Sequence, residues 1–111
     1  MYKLSLNRVH DRVRITEGAE SLDLRVDADP MRMVAGLNEA QRQLRALGES
    51  STPEALRDAA RYFAGVIFGP EQADQLLTFY REDAACVLNV CGRYFSERLS
   101  KLIDKAQRRM K

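Results

Sequence analysis

The chain has 111 residues, a formal net charge of +2, 45% hydrophobic and 31% charged residues, and no tryptophan. Its length corresponds to one domain, and its composition is typical of a globular protein and not of a disordered one. A charge balance this close to neutral gives no reason, by itself, to expect a nucleic-acid partner.

The first quarter of the chain alternates apolar and polar residues, which is the pattern of strands with one buried face. The apolar positions are Leu4 and Leu6, then Val13 and Ile15, then Leu22, Leu24 and Val26. Turns are predicted over residues 7–11 and 17–20, where polar residues and Gly18 interrupt the alternation. These signals predict an antiparallel meander of about three short strands, whose apolar face needs helices to cover it.

Three proline-containing signals then mark the starts of helices. Asp29-Pro30, Thr52-Pro53 and Gly69-Pro70 each place a proline where the first turn of a helix tolerates it. Gly48 and Gly69 mark the ends of the first two helices. Each predicted helix has an apolar stripe at helical spacing.

The last predicted helix runs from about Glu82 to near the C-terminus. Such a helix would be ~42 Å long, whereas a compact domain of this size is about 34 Å across. We therefore expect this helix to bend or to extend beyond the domain. Because its apolar stripe continues through Leu102, Ile103 and Ala106, an extended stripe would need self-association or a protein partner to cover it.

The predicted fold is therefore α+β. A single domain spans residues 1–111, with a β section over 1–28 and a mainly α section of four helices over 29–111 that ends in a long C-terminal helix.

Three sets of side chains have the chemistry of a catalytic or metal site, and each lacks a group that such a site needs. His10, the single histidine, lies beside Asp11 in a predicted turn, where we expect it to be solvated. Cys86 and Cys91 have neither the spacing nor the further ligands of a zinc site. The acidic residues near Asp83 suit a helix start. No phosphate-binding glycine loop is present. We therefore predict a non-enzymatic protein with no catalytic residues, no cofactor and no metal.

The end of the chain is basic, with seven basic residues against two acidic ones over residues 93–111. Basic residues at a helix C-terminus complement the helix dipole, which accounts for much of this charge. The segment lacks the interleaved aromatic residues that stack on bases. We therefore do not expect nucleic acid to be the main partner, and a small nucleic-acid-associated accessory protein remains the alternative function.

The compartment follows from the cysteines and from the apolar segments. Cys86 and Cys91 are about 140° apart around a helix, so they cannot easily form a disulfide with each other. Two free thiols fit a reducing cytoplasm. No stretch approaches the roughly 20 apolar residues of a membrane span, and the start has no apolar run typical of a signal peptide. We expect a cytoplasmic protein with no membrane association.

A resemblance to a known family rests on residues 62–80 and on the last helix. Residues 62–69 read Tyr-Phe-Ala-Gly-Val-Ile-Phe-Gly and are followed by Glu71, Leu76, Leu77, Phe79 and Tyr80. Tyr94, Lys101, Lys105 and Lys111 lie in the final segment. In these features, and in its length and order of elements, the chain resembles the small tail assembly chaperones of long-tailed phages and prophages of Gram-positive bacteria.

The resemblance implies a function in the cytoplasm of a bacterial host cell. Proteins of that family keep the long, aggregation-prone tape measure protein soluble and help to nucleate polymerisation of the tail tube around it. They have no catalytic residues to carry over. A chaperone for a long amphipathic helix needs an apolar surface, as in helix-in-groove recognition. The residues predicted to line this surface are Phe68, Phe79, Tyr80, Phe95, Leu99 and Ile103.

Overall fold

The chain begins with a β-hairpin in the computed structural model, which describes residues 8–48 and 52–109. Strand β1 (Val9–Glu17) pairs antiparallel with β2 (Glu20–Ala28), with Val9 opposite Ala28 and Glu17 opposite Glu20. Gly18 opens the two-residue turn with a φ of +61°. A positive φ at the first turn position is the requirement of a type II′ hairpin turn, which glycine meets without strain.

The hairpin confirms two of the three predicted strands and corrects one predicted turn. The segment containing Leu4 and Leu6, predicted as the first strand, lies outside the described residues. The turn predicted over 7–11 is wrong for residues 9–11, because β1 already begins at Val9 and contains His10. The error arose at Asp11, a charged residue on the core-facing side of β1, where it interrupts the alternation of apolar residues.

Four helical segments follow, and the predicted starts at the prolines are confirmed. They are α1 (Pro30–Ala46), α2 (Pro53–Phe68), α3 (Pro70–Phe79) and α4 (Ala84–Tyr94). Asp29 and Thr52 accept hydrogen bonds from backbone amides of the first turns that they precede. Asp83 does the same for α4 by accepting from the amide of Cys86 at 3.2 Å. These side chains satisfy amide groups that have no partner within the helix.

The last helix continues beyond α4 without a break in the chain. A π-helical turn over Phe95–Leu99 joins α4 to α5 (Ser100–Arg109). From Val87 to Ile103, an apolar residue recurs every four positions. Over these sixteen residues a regular α-helix would place Ile103 about 160° around the axis from Val87. A π turn holds one residue more than an α turn, which removes about 100° of this rotation. Val87, Leu99 and Ile103 can therefore all be buried.

The described elements share one hydrophobic core. β2 packs against α2 and α3, β1 packs against α5, and α1 packs against α2 and α5. The buried side chains that are most completely covered include Leu24, Met33, Ile67, Leu76 and Leu99. The molecule is elongated, with extents of 54 × 35 × 24 Å. Even so, Leu99, Ile103 and Ala106 are buried. The apolar stripe of α5 is thus packed on its own domain at these positions, not left open as the predicted helix length had suggested.

Candidate functional site: an apolar groove between α1 and the C-terminal helices

A groove of about 400 Å³ lies between α1 and α5, and two helix faces form its walls. The wall from α1 consists of residues three or four apart along one face, which are Val34, Leu37, Asn38, Gln41 and Leu44. The wall from α5 has the same spacing and consists of Ser100, Ile103, Asp104 and Gln107. From residue 34 to residue 44, α1 rises about 15 Å, so the groove is nearly three helical turns long.

The floor of the groove is aromatic and partly open. Phe63 from α2 and Phe95 from the π turn line it, together with Ala40 and Gly92. An ideal Cβ built on Gly92 meets no atom within 4 Å apart from its own helix backbone and chain neighbours. The absence of a side chain at Gly92 therefore leaves space at the floor that a larger residue would occupy.

The groove exposes apolar surface beside an almost uncharged rim. Val34, Leu44, Phe63 and Phe95 are half-buried. The polar lining is formed by amides and a hydroxyl, apart from Asp104, which forms an ion pair with Arg108 at 2.9 Å. An apolar surface with a few uncharged hydrogen-bonding groups suits the apolar face of a helix or an uncharged small molecule. It does not suit a highly charged ligand.

A buried carboxylate fixes the π turn beside the groove. The side chain of Asp11, which is only 7% exposed, accepts a hydrogen bond from the Tyr94 hydroxyl at 2.7 Å. The guanidinium of Arg98 donates to both carboxylate oxygens, from Nε at 2.5 Å and from Nη2 at 3.0 Å. Tyr94 directly precedes the π turn and Arg98 lies within it, and both side chains reach Asp11 in the β-hairpin. Asp11 therefore fixes the part of the helix that presents Phe95 to the groove.

The ionisation of this cluster favours the ion pair. Burial by itself would raise the pKa of Asp11, but hydrogen bonds from Arg98 and Tyr94 and the guanidinium charge lower that pKa below its ordinary value. Burial, together with the hydrogen bond to Asp11, raises the pKa of Tyr94. Tyr94 therefore remains a neutral hydrogen-bond donor at neutral pH, while Asp11 is ionised. The ring of Tyr94 also stacks on Phe68 at a centroid distance of 5.8 Å.

The six residues predicted to contact a partner do not form one surface. Phe95 and Ile103 both line the groove. Phe68 and Leu99 are buried in the core. Phe79 and Tyr80 pack edge to face against each other, with ring centroids 5.2 Å apart, and line no part of the groove. The structure thus brings two of the six predicted residues to the same site.

The α1 wall of the groove was not predicted as a binding surface. Val34, Leu37, Asn38, Gln41 and Leu44 are not among the six residues predicted to contact a partner. The available signal was the width of the apolar stripe on α1. Val34 lies beside the stripe formed by Met33 and Leu37, so this helix has more apolar surface than a single contact with α2 covers.

Burial or a hydrogen bond favours the neutral form of the two thiols, and the single histidine is exposed. Burial raises the pKa of Cys91 to about 12, so its nucleophilic thiolate form is scarce at neutral pH. A hydrogen bond to Asp83 raises the pKa of Cys86. His10 is exposed, with Nδ1 3.5 Å from a carboxylate oxygen of Asp27. Over residues 8–48 and 52–109, no three His, Cys, Asp or Glu side chains lie close enough together to hold a metal ion.

The described helices include none with the length and apolar character needed to cross a bilayer. Comparison of the chain with protein-family models, with curated proteins and with solved structures found no match.

Proposed function

We propose that this chain is a non-enzymatic protein that binds an amphipathic helix of a partner in the groove between α1 and α5. Residues 62–80 and the last helix resemble those of the tail assembly chaperones. For this reason we further propose that the chain is a phage or prophage tail assembly chaperone and that the bound helix belongs to the tape measure protein. The observation that carries the proposal is the groove, with its two helical walls, its aromatic floor and a rim whose one charged lining residue is Asp104.

The dimensions of the groove support a helix as its occupant. A length of about 15 Å accommodates roughly ten helical residues, which place apolar anchors at positions i, i+3 or i+4, and i+7. Each fully buried Leu- or Phe-sized anchor contributes about 1.5–3 kcal/mol, so three anchors contribute about 5–9 kcal/mol before the costs of association. Because association itself costs at least about 4 kcal/mol, three anchors alone give an affinity no tighter than roughly 0.2 mM, and such weak binding lets a chaperone release its client.

The nucleic-acid alternative has less support. Among the basic side chains that the structure describes between residues 93 and 108, three form ion pairs within the chain: Arg93 with Glu97, Arg98 with Asp11 and Arg108 with Asp104. Lys101 and Lys105 remain exposed on α5. Two exposed lysines could make fewer phosphate contacts than typical nucleic-acid-binding proteins make.

A matched pair of glycine variants tests the groove. Gly92 lines the groove, whereas Gly65 in α2 does not, and an ideal Cβ at either glycine has nothing within 4 Å. Gly92→Leu therefore fills the floor, and Gly65→Leu makes the same chemical change elsewhere. Both changes raise helix propensity by a similar amount. Circular dichroism and thermal unfolding should first show that both variants fold.

Each variant is then co-expressed with the tape measure protein of the same phage or prophage. We expect the unmodified chain and Gly65→Leu to keep the tape measure protein soluble and to co-purify with it, and Gly92→Leu to lose both properties. Equal activity of the two variants would refute the groove as the binding site. If the unmodified chain neither co-purifies nor raises solubility, the chaperone proposal fails. Retardation of DNA or RNA at moderate salt that is lost in Lys101→Glu would instead favour the nucleic-acid alternative.

A further inference from the structure

The register of the β-hairpin determines which backbone groups point away from it. In a hairpin with a two-residue loop, Glu17 and Glu20 form a hydrogen-bonded pair, and every second pair beyond them does the same. The residues of the intervening pairs direct their N–H and C=O groups outward, to the two edges of the sheet. On β2 these include Asp23 and Arg25. On β1 they are His10, Arg12, Arg14 and Thr16.

The two edges differ in what covers them. At the β2 edge, the side-chain amide of Gln72 in α3 imitates a neighbouring strand, because it accepts from the Arg25 N–H at 2.8 Å and donates to the Arg25 C=O at 2.7 Å. At the β1 edge, no strand among the described residues bonds to the outward backbone groups, and the side-chain contact there is local, between the Arg12 N–H and the carboxylate of the preceding residue, Asp11. The four residues that carry them are exposed. Near Arg14 and Thr16 the edge borders a cleft that it shares with Arg93 and Glu97 of the last helix, and no strand of the described residues fills that cleft.

Two of the arginines on the exposed face of the hairpin, Arg12 and Arg25, have no acidic partner among the described residues, whereas the others are paired. Arg14 is paired with Asp23 at 2.8 Å, and Arg8 with Asp27 at 2.6 Å. Arg12 lies directly opposite Arg25, and neither has a carboxylate within 4.0 Å among the described residues. Like charges directly opposite each other on one face of a sheet are destabilising. A carboxylate placed on the free side of Arg12 would relieve this repulsion.

We propose that the outer edge of β1 binds an extended acidic segment of a partner protein by strand addition. The segment pairs its backbone with the outward groups of β1, and its Asp or Glu side chains, at alternate positions, lie on the exposed face beside Arg12 and Arg14. This surface is separate from the groove, so the inference does not depend on the proposed helix-binding function. Main-chain hydrogen bonds give such a site its affinity, and alternate side chains give it specificity.

Three other occupants fit this edge poorly. A second copy of β1 pairing antiparallel about Arg12 places Arg12 against Arg12 and His10 against Arg14, and a shift by two residues still opposes cations. Residues 1–7 of this chain include Lys3 and no carboxylate. Nucleic acid could meet the guanidinium groups, but it has no backbone amide and carbonyl groups that pair with a strand edge in register.

The test uses the full chain and a fluorescent eight-residue peptide that alternates Thr and Glu, with a Thr and Lys peptide as its control. Binding is measured by fluorescence anisotropy at low salt. We expect the acidic peptide to bind, and Arg12→Glu to weaken it about tenfold. Arg32→Glu, the same charge change on α1, should leave the affinity unchanged. N-methylation of the peptide amides that face β1 should abolish binding, and N-methylation of the alternate amides should not.

Amide hydrogen exchange distinguishes strand addition from attraction between charges. With the acidic peptide bound, the amides of Arg12 and Arg14 should exchange at least tenfold more slowly, while that of Val13, already paired with β2, should not change. The proposal is overturned if neither amide is protected, if the lysine peptide binds equally, or if single-stranded DNA protects the same amides. Protection of both amides in the free chain would also overturn it, since the edge would then be filled by its own first residues or by a second copy. Sedimentation of the free chain would separate these two cases, because a second copy at the edge would be detected as a dimer.

Discussion

Replacement of Asp11 by alanine tests how the structure holds the π turn in place. The Asp11 carboxylate is 7% exposed and accepts three hydrogen bonds, one from Tyr94 and two from Arg98. In Asp11→Ala the Tyr94 hydroxyl loses its partner in a half-buried position. A buried polar group left without a hydrogen bond costs about 1–3 kcal/mol, and hydrogen bonds to charged groups contribute about 1.5–3 kcal/mol. Since the Arg98 side chain is 60% exposed and can be rehydrated, we expect a net loss of about 2–3 kcal/mol in the free energy of unfolding.

The assay is urea-induced unfolding of four proteins: the unmodified chain, Asp11→Ala, Tyr94→Phe and the double variant. Tyr94→Phe alone should cost about 1 kcal/mol. In the Asp11→Ala background it should cost almost nothing, because the hydroxyl has no acceptor left to lose. The coupling energy should therefore be about 1 kcal/mol.

Asp23→Ala is the matched control for this cycle, because Asp23 also pairs with an arginine from a neighbouring element. The side chains of that pair, Arg14 and Asp23, are 70% and 68% exposed. Exposed pairs contribute little, so the control should hardly change the unfolding midpoint. If Asp11→Ala costs no more than Asp23→Ala, or if Tyr94→Phe costs the same in both backgrounds, then Asp11 does not fix the π turn as described.

Three further predictions follow from single contacts. Folding lowers the pKa of Asp11. The contribution of its carboxylate to stability is therefore complete above the unfolded pKa of about 3.9 and is lost as the pH falls through the folded pKa. The difference in free energy of unfolding between the unmodified chain and Asp11→Asn should shrink between about pH 5 and pH 2. A Cβ on Gly36 would lie 2.8 Å from Cγ1 of Val66, so Gly36→Ala should destabilise the chain by about 1 kcal/mol but stabilise a Val66→Ala background by about the same amount, as measured by thermal unfolding. Because Cys91 is buried with a pKa of about 12, a thiol reagent at pH 8 should modify Cys86 in the native protein and reach Cys91 only at the rate of unfolding.

Local signals in the sequence were sufficient for most of the fold. The proline starts at residues 30, 53 and 70 and the glycine at 69 act within a few residues of the chain, and each gave the helix boundary found in the structure. The hairpin turn at Gly18 is a signal of the same kind. Such signals do not depend on tertiary contacts, which is why they can be recognised without them.

Features that depend on distant contacts were missed. The sequence alone predicts that Asp11 lies in a turn. In the structure, Tyr94 and Arg98, more than 80 positions away, hydrogen-bond to Asp11 on the core side of β1. The groove was missed for a similar reason. Phe95 and Leu99 have the same apolar character and lie on the same helix, yet one faces the groove and the other is fully buried. Only the packing of α1 and α2 around the π turn distinguishes them.

The π turn also has a consequence for the lengths that this helix tolerates. It holds one residue more than a regular turn, so deletion of one residue between 95 and 99 could convert it to α-helix while Ile103 and Ala106 keep their faces and their burial. A deletion within α5 would instead rotate the following residues by about 100° and expose them. The extra residue is therefore dispensable for packing the end of the chain. Its effect is local, on the placement of Phe95 and Arg98, and homologous chains of different length in this segment should differ in the groove while sharing the fold.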